Sequence, residues 1–258
     1  MSAAIITRDG VAEQFGDPAR VYELASVTKP LVAYAVLVAV EEGAVELDDP
    51  AGPSGSTLAH LLSHASGLAY DTREVEAPPG EQRIYSSAGF EVASEVVAEA
   101  TGIEFGRYLS EAVCAPLEMS STTLYGPAGH AARSSVADLA AFARELLDPR
   151  LLAPETFGTL TSVRFPGLDG FVPGYGKHRP NDWGIGFEIR SEKSPHWTGT
   201  RNSPRTFGHF GQAGTFLWVD PALDAACVVL TDRLFGPWAK PLWSEFNDRV
   251  VDELSSQN

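Results

Sequence analysis

The chain has 258 residues, of which 44% are hydrophobic and 21% charged, and its formal net charge is −15. That length and balance suit one large domain or two lobes sharing a core, and exclude a chain disordered throughout. The acidic surplus repels phosphate backbones, so nucleic acid is not an expected partner.

The N-terminal residues Met1 to Asp9 show no basic stretch followed by a long apolar one, so no signal peptide is expected. The longest apolar run, Pro30 to Val40, is shorter than the roughly 20 residues a bilayer helix needs. A cytoplasmic protein without a membrane partner is the expectation. Ala3 to Thr7 and Val11 to Phe15 are short apolar segments around Asp9-Gly10, a hairpin signal. Leu31 to Glu42 is apolar on nearly all sides and predicts a buried central helix, stopped by Gly43 and followed by a loop at Asp48-Asp49-Pro50.

From Thr57 to about Leu147 the pattern is helical. Ser56 or Thr57 can cap a helix reaching Ser63, and Gly89 to Ala100 and Ile103 to Val113 predict two more around Thr101-Gly102. Ser135 to Leu147 predicts a fourth, ended by Asp148-Pro149. Phe165 to Asp182, rich in Gly and Pro, predicts an irregular excursion. Strands are expected at Gly184 to Arg190, Thr206 to His209, Thr215 to Val219 and Ala225 to Thr231, with a turn at Asp220 to Asp224. A helix from about Lys240 to Leu254 closes the pattern. Ser255-Ser256-Gln257-Asn258 have nothing to bury and are expected to be disordered. Strands at both ends and helices between them predict an α/β protein of the α+β kind, with one antiparallel sheet built from both chain ends, flanked by helices and interrupted by a helical lobe.

Three short patterns carry chemistry. The first is Ser26-Val27-Thr28-Lys29. A serine hydroxyl is a weak nucleophile that needs a base, and positions i and i+3 of a helix share a face. A helix N-terminus also favours a developing oxyanion. Read alone, Ser26 is better taken as a helix cap, and Pro30 disfavours α geometry at Lys29, so an irregular helix start is expected. The second pattern is Tyr85-Ser86-Ser87, ahead of a helix. A cationic Lys29 beside Tyr85 would lower the phenol below its ordinary value of about 10 and make phenolate the general base. Ser87 could orient Lys29 or a substrate amide. The third is His209-Phe210-Gly211-Gln212, where a strand glycine lets a substrate backbone approach, the Gln212 N–H can point at an oxyanion, and His209 offers a polar group. The plainer readings are a packed loop tyrosine and a glycine bulge with a satisfied histidine.

In this order and these settings the patterns resemble the serine penicillin-recognising proteins, especially class C β-lactamases and their esterase relatives. Those proteins carry S-x-x-K, Y-x-N or Y-x-S, and K-T-G or H-x-G. The resemblance includes Leu24 to Lys29, His60-Leu61-Leu62-Ser63-His64-Ala65-Ser66-Gly67-Leu68 and Ala226 to Arg233, and spans most of the chain. It implies a β-lactamase/transpeptidase-like fold over residues 1–258, with a sheet lobe of about 1–55 and 183–258 and a mainly helical lobe of about 56–182. It implies Ser26 as the acylated nucleophile, Lys29 and Tyr85 as proton carriers, and the backbone N–H groups of Ser26 and Gln212 as the oxyanion hole. Ser87, His209 and Gly211 become substrate-binding residues. Two departures matter. Ser87 stands where β-lactamases usually have Asn, and His209-Phe210-Gly211 replaces the Lys-Thr-Gly that helps hold the β-lactam carboxylate. The expected substrate is therefore a small ester or amide, with β-lactam turnover weak or absent. A β-lactamase, a D-amino-acid peptidase and a catalytically inactive ligand-binding relative are the alternatives.

Other clusters carry less. His60 and His64 are four apart, but Leu61 stands where a zinc protease has its Glu, so no metal or other cofactor is expected. His64 and Ser66 are expected to fix a buried turn before Gly67. Glu41-Glu42 and Asp48-Asp49 suit a solvated helix end and turn, since adjacent carboxylates diverge. Cys227 lies in an apolar strand and Cys114 apart from it, with no disulfide implied.

Overall fold

The structure, a computed structural model, describes residues 1–256. Its frame is a six-stranded sheet. β1 (Ser2–Thr7) and β2 (Gly10–Phe15) come from one end of the chain; β8 (Glu188–Ile189), β9 (Phe207–Gly211), β10 (Thr215–Asp220) and β11 (Ala225–Leu230) come from the other. The order is β2-β1-β11-β10-β9-β8 and the neighbours run antiparallel, with Ser2 opposite Leu230. β3 (Val21–Glu23), β4 (Thr123–Leu124) and β5 (Ala132–Ser135) form a second, small sheet in the order β3-β5-β4. β6 (Gly170–Val172) and β7 (Gly176–His178) form a hairpin inside the Gly- and Pro-rich excursion.

The strand period of two sorts side chains onto two cores. Ala4, Ile6, Leu217, Val219, Ala226 and Val228 face one cluster, together with the helices α1 (Thr28–Glu41) and α5 (Val136–Leu147). Ile5, Phe216, Trp218, Cys227 and Val229 face the other, against α7 (Ala239–Ser256). α1 is buried along almost its whole length, as an all-round apolar helix must be. The rest of the helical region is α2 (Leu58–Leu62), α3 (Ala88–Thr101), α4 (Phe105–Leu109) continued by a π turn at Ser110–Cys114, and α6 (Pro154–Thr161).

Several expectations need correction. The strand predicted from Gly184 to Arg190 shrinks to two residues. The Gly186 N–H bonds the Leu62 carbonyl at 2.8 Å and the Ile185 N–H bonds Leu160 at 3.2 Å, so this segment seals the helical side instead of extending the sheet. Ser255 and Ser256 are not disordered, because α7 runs through Ser256; Gln257 and Asn258 lie outside the described residues. Both cysteines are buried and unpaired. Among the described residues no helix is long and apolar enough to cross a membrane, and no cluster of three or more His, Cys, Asp or Glu could hold a metal ion.

Candidate active site

Ser26 sits in a single 3-10 turn, Ala25–Val27, that leads into α1. Ala25 has φ of 47°, a left-handed conformation costly for a residue with a Cβ. The turn is held from both sides. The Leu24 N–H donates to the Ala132 carbonyl at 2.9 Å, and the Ala132 N–H donates to Thr28 Oγ1 at 3.1 Å. Thr215 Oγ1 donates to the Leu24 carbonyl at 2.9 Å. Pro30 falls in the first turn of α1, where its missing N–H costs nothing. The irregular start is therefore a 3-10 turn, not a break.

Lys29 has no exposed surface. Its Nζ lies 2.7 Å from the Gly129 carbonyl, 3.0 Å from Ser87 Oγ and 3.3 Å from Ser26 Oγ. Burial lowers its pKa to about 7, with Glu91 pulling weakly the other way. A neutral amine has two N–H donors and one lone pair. As an ammonium Nζ donates to all three oxygens; as a neutral amine it gives one N–H to the Gly129 carbonyl, which only accepts, and the second N–H and the lone pair fall to the Ser87 and Ser26 hydroxyls.

Tyr85 stands beside this pair, but not as expected. Lys29 Nζ lies over its ring, 4.7 Å from the centroid, rather than at its hydroxyl. Burial drives the phenol well above its ordinary value, while a hydrogen bond with Ser26 works the other way. The expected cation-stabilised phenolate is thus replaced by a neutral phenol next to a lysine that is itself easily neutral. His209 Nδ1 lies 2.7 Å from the Phe210 carbonyl. A carbonyl only accepts, so Nδ1 carries the proton and Nε2, 3.4 Å from the Tyr85 oxygen, is left as an acceptor. Burial first, then Lys29, lowers the His209 pKa to about 3, so the ring is neutral.

Two cavities meet at Ser26. The first, of about 250 Å³, is walled by Tyr70, Tyr85, Trp183, His209, Phe210 and Gln212, among others. Glu188 also reaches it, but its carboxylate is engaged by Lys193 at 3.0 Å, His196 at 3.3 Å and Trp197 Nε1 at 2.7 Å. The second, of about 440 Å³, is lined by Ser87 and Gln212 and by the carboxylate residues Glu23, Asp71 and Glu91. No Lys or Arg among the described residues lines either cavity.

The structure thus brings Ser26, Lys29, Tyr85, Ser87, His209 and Gln212 into one place. Gly211 lies next to them: a Cβ there would meet Thr215 Oγ1 at 2.6 Å and Ala25 Cβ at 3.2 Å, so this glycine lets β9 dock on the Ser26 turn. Beyond Gly208, β9 has no outer strand partner, because β8 pairs only with Phe207 and Gly208; the side facing the cavity is open. Sequence reasoning missed the Gly129 carbonyl, Trp183 and Tyr70. Gly129 carries no motif. Its lack of a Cβ is needed because one would meet Ser87 Cβ at 2.7 Å.

Residues 1–249 match the family model described as Beta-lactamase. A crystal structure of a beta-lactamase from Mycobacterium bovis is 58% identical, covers 98% of this chain and 94% of its own, and superposes with a TM-score of 0.97. Penicillin-binding protein 4* of Bacillus subtilis is 24% identical over 137 residues, 40% of this chain and 30% of the relative, so the match spans about a third of that protein's length. EstCE1, a hydrolase with promiscuous acyltransferase activity, shares the fold with a TM-score of 0.79 at 17% identity, over 97% of this chain and 93% of its own.

Proposed function

Since the chain belongs to the beta-lactamase family, we propose that it is a serine hydrolase that forms an acyl-enzyme on small carboxylic esters or amides, esters foremost, with β-lactams poor substrates. The observation that carries this reading is the buried Lys29, whose Nζ is held by the Gly129 carbonyl and Ser87 Oγ at 3.3 Å from Ser26 Oγ. Ser26 Oγ attacks the carbonyl carbon and its proton passes to Lys29 Nζ. The oxyanion forms within reach of the Ser26 and Gln212 backbone N–H groups. Collapse breaks the bond to the leaving oxygen, which takes a proton from the Tyr85 hydroxyl; the Lys29 ammonium then returns a proton to Tyr85. Water repeats the sequence on the acyl-enzyme, releasing the acid and restoring Ser26. This gives Tyr85 the role of general acid during acylation, and Lys29 that of base.

Substrate choice follows from the walls. The aromatic cavity suits an apolar group, since the charge of Glu188 is already balanced. The second cavity carries three carboxylates against a single basic side chain, His130, so an anionic group is repelled there. A β-lactam or a peptide C-terminus brings such a carboxylate, which weighs against the β-lactamase and D-amino-acid peptidase readings.

The test is direct. A fluorophosphonate probe should label Ser26 and fail on a folded Ser26→Ala variant; persistent labelling of that variant would overturn the nucleophile, and no labelling of the parent would favour an inactive binding protein. By kcat/KM, p-nitrophenyl acetate and butyrate should outrank nitrocefin. The opposite ranking would overturn the substrate class.

A further inference from the structure

His64 takes no part in the steps above, yet it touches Tyr85 and both residues beside it. Its ring is buried, with 1% of the residue exposed. Its main-chain carbonyl accepts the N–H of Ile84 at 3.0 Å, and its Nδ1 accepts the N–H of Ser86 at 3.0 Å. These are the two residues flanking Tyr85. The imidazole also packs on the Tyr85 ring with centroids 4.5 Å apart. The backbone at His64 is left-handed, with φ of 58°, a conformation costly for a residue with a Cβ. That conformation places the carbonyl and the ring of one residue against both neighbours of the phenol.

The tautomer follows from the same contacts. A backbone N–H only donates, so Nδ1 is unprotonated and the ring proton sits on Nε2. Nε2 is buried and has no hydrogen-bond acceptor. The ring stands perpendicular to the Trp183 ring, with centroids 4.5 Å apart. Trp183 in turn lies against Tyr85 at 6.0 Å and His209 at 5.5 Å. Burial, with Lys29, His209 and Arg83 adding to it, holds the imidazole neutral. A protonated ring would turn Nδ1 into a second donor facing the Ser86 N–H.

We propose that His64 is the positioning residue for Tyr85: as a neutral, Nε2-protonated imidazole it clamps the backbone on both sides of the phenol and fixes the direction of its O–H. This rests on the acyl-enzyme reading above, in which Tyr85 protonates the leaving group. A merely structural histidine would change stability and all substrates alike. A positioning residue changes the substrates that need the acid.

The experiment compares kcat/KM for a p-nitrophenyl ester and an alkyl ester of the same acid, with thermal melts of each variant. p-Nitrophenoxide departs without a proton, whereas an alkoxide needs one. His64→Leu removes the acceptor and should cost about 10²-fold on the alkyl ester, as a misplaced catalytic group does, and much less on the p-nitrophenyl ester. His64→Asn places Oδ1 where Nδ1 was and tolerates the left-handed backbone, so it should recover most of the loss. Combined with Tyr85→Phe, His64→Leu should cost nothing further, because both act on one group. Should the leucine variant not fold, His64→Gly accepts the same backbone and carries the comparison. Equal losses on both esters, or losses that add to those of Tyr85→Phe, would overturn the inference. If Tyr85→Phe alone leaves the alkyl ester unaffected, the acid assignment falls and the inference with it. If Tyr85→Phe is damaging and the His64 variants are not, only the inference falls.

Discussion

A lysine without exposed surface stands at the centre of the proposed chemistry. Because Lys29 is held near a pKa of about 7 by burial, kcat/KM for ester acylation should rise with pH on a limb centred there and level off above it. Glu91 is the one charge opposing that depression. Glu91→Gln should therefore move the limb to lower pH; a limb that stays put or moves to higher pH would show that Lys29 is not the titrating group. Lys29→Met should remove the limb and cost on the order of 10²–10⁴-fold, the usual worth of a positioned base. Ser26, Lys29, Tyr85 and His209 could be picked out in the sequence because each lies in a short local pattern. The ionisation of Tyr85 could not. Its sign depends on which part of the ring Lys29 faces and how far burial outweighs that charge, and both are set by packing between distant segments. His64 stood in a quoted stretch, but the two N–H groups it accepts belong to residues about twenty positions later, so only its burial could be anticipated.

At the level of elements, the long periodic segments were legible, as was the capped α2, and the shortest strands were not. α1, α3, α5 and α7 fall close to their expected places, because each presents an apolar face or body for burial. β3, β4 and β5 are two to four residues long, too short to display alternation. Yet β5 pins the Ser26 turn through Ala132, and the segment before it delivers the Gly129 carbonyl to Lys29. That delivery needs a close approach. Gly129→Ala would press a methyl group on Ser87 and should destabilise the protein by about 1–3 kcal/mol, the usual range for overpacking. It should also slow acylation, because the carbonyl must retreat from Lys29. A variant with unchanged melting temperature and acylation rate would show that the segment yields freely.

For the whole molecule, the net charge of −15 adds to the acidic wall beside Ser26. A trimethylammonium-bearing ester should be hydrolysed with a higher kcat/KM than an uncharged isostere, and that one better than a carboxylate-bearing isostere. The spread should shrink as salt rises and shortens the reach of exposed charges from about 30 Å at 0.01 M to about 3 Å at 1 M. A ranking indifferent to salt would place the selectivity in shape instead. The overall plan was readable from strands clustered at the two ends of the sequence, whereas the cavities were not, since their walls come from five or more separate segments. The sheet order has one more consequence. β1 lies inside the sheet, between β2 and β11, and cannot be zipped on its inner side until Ala225–Leu230 exists. Such distant partners make folding slow. During synthesis, Ser26 and Lys29 are made well before Phe207–Gly211 and stand without their β9 neighbours until that strand follows. A growing chain of this protein therefore carries Ser26 and Lys29 before the strand that closes the cavity around them has been made.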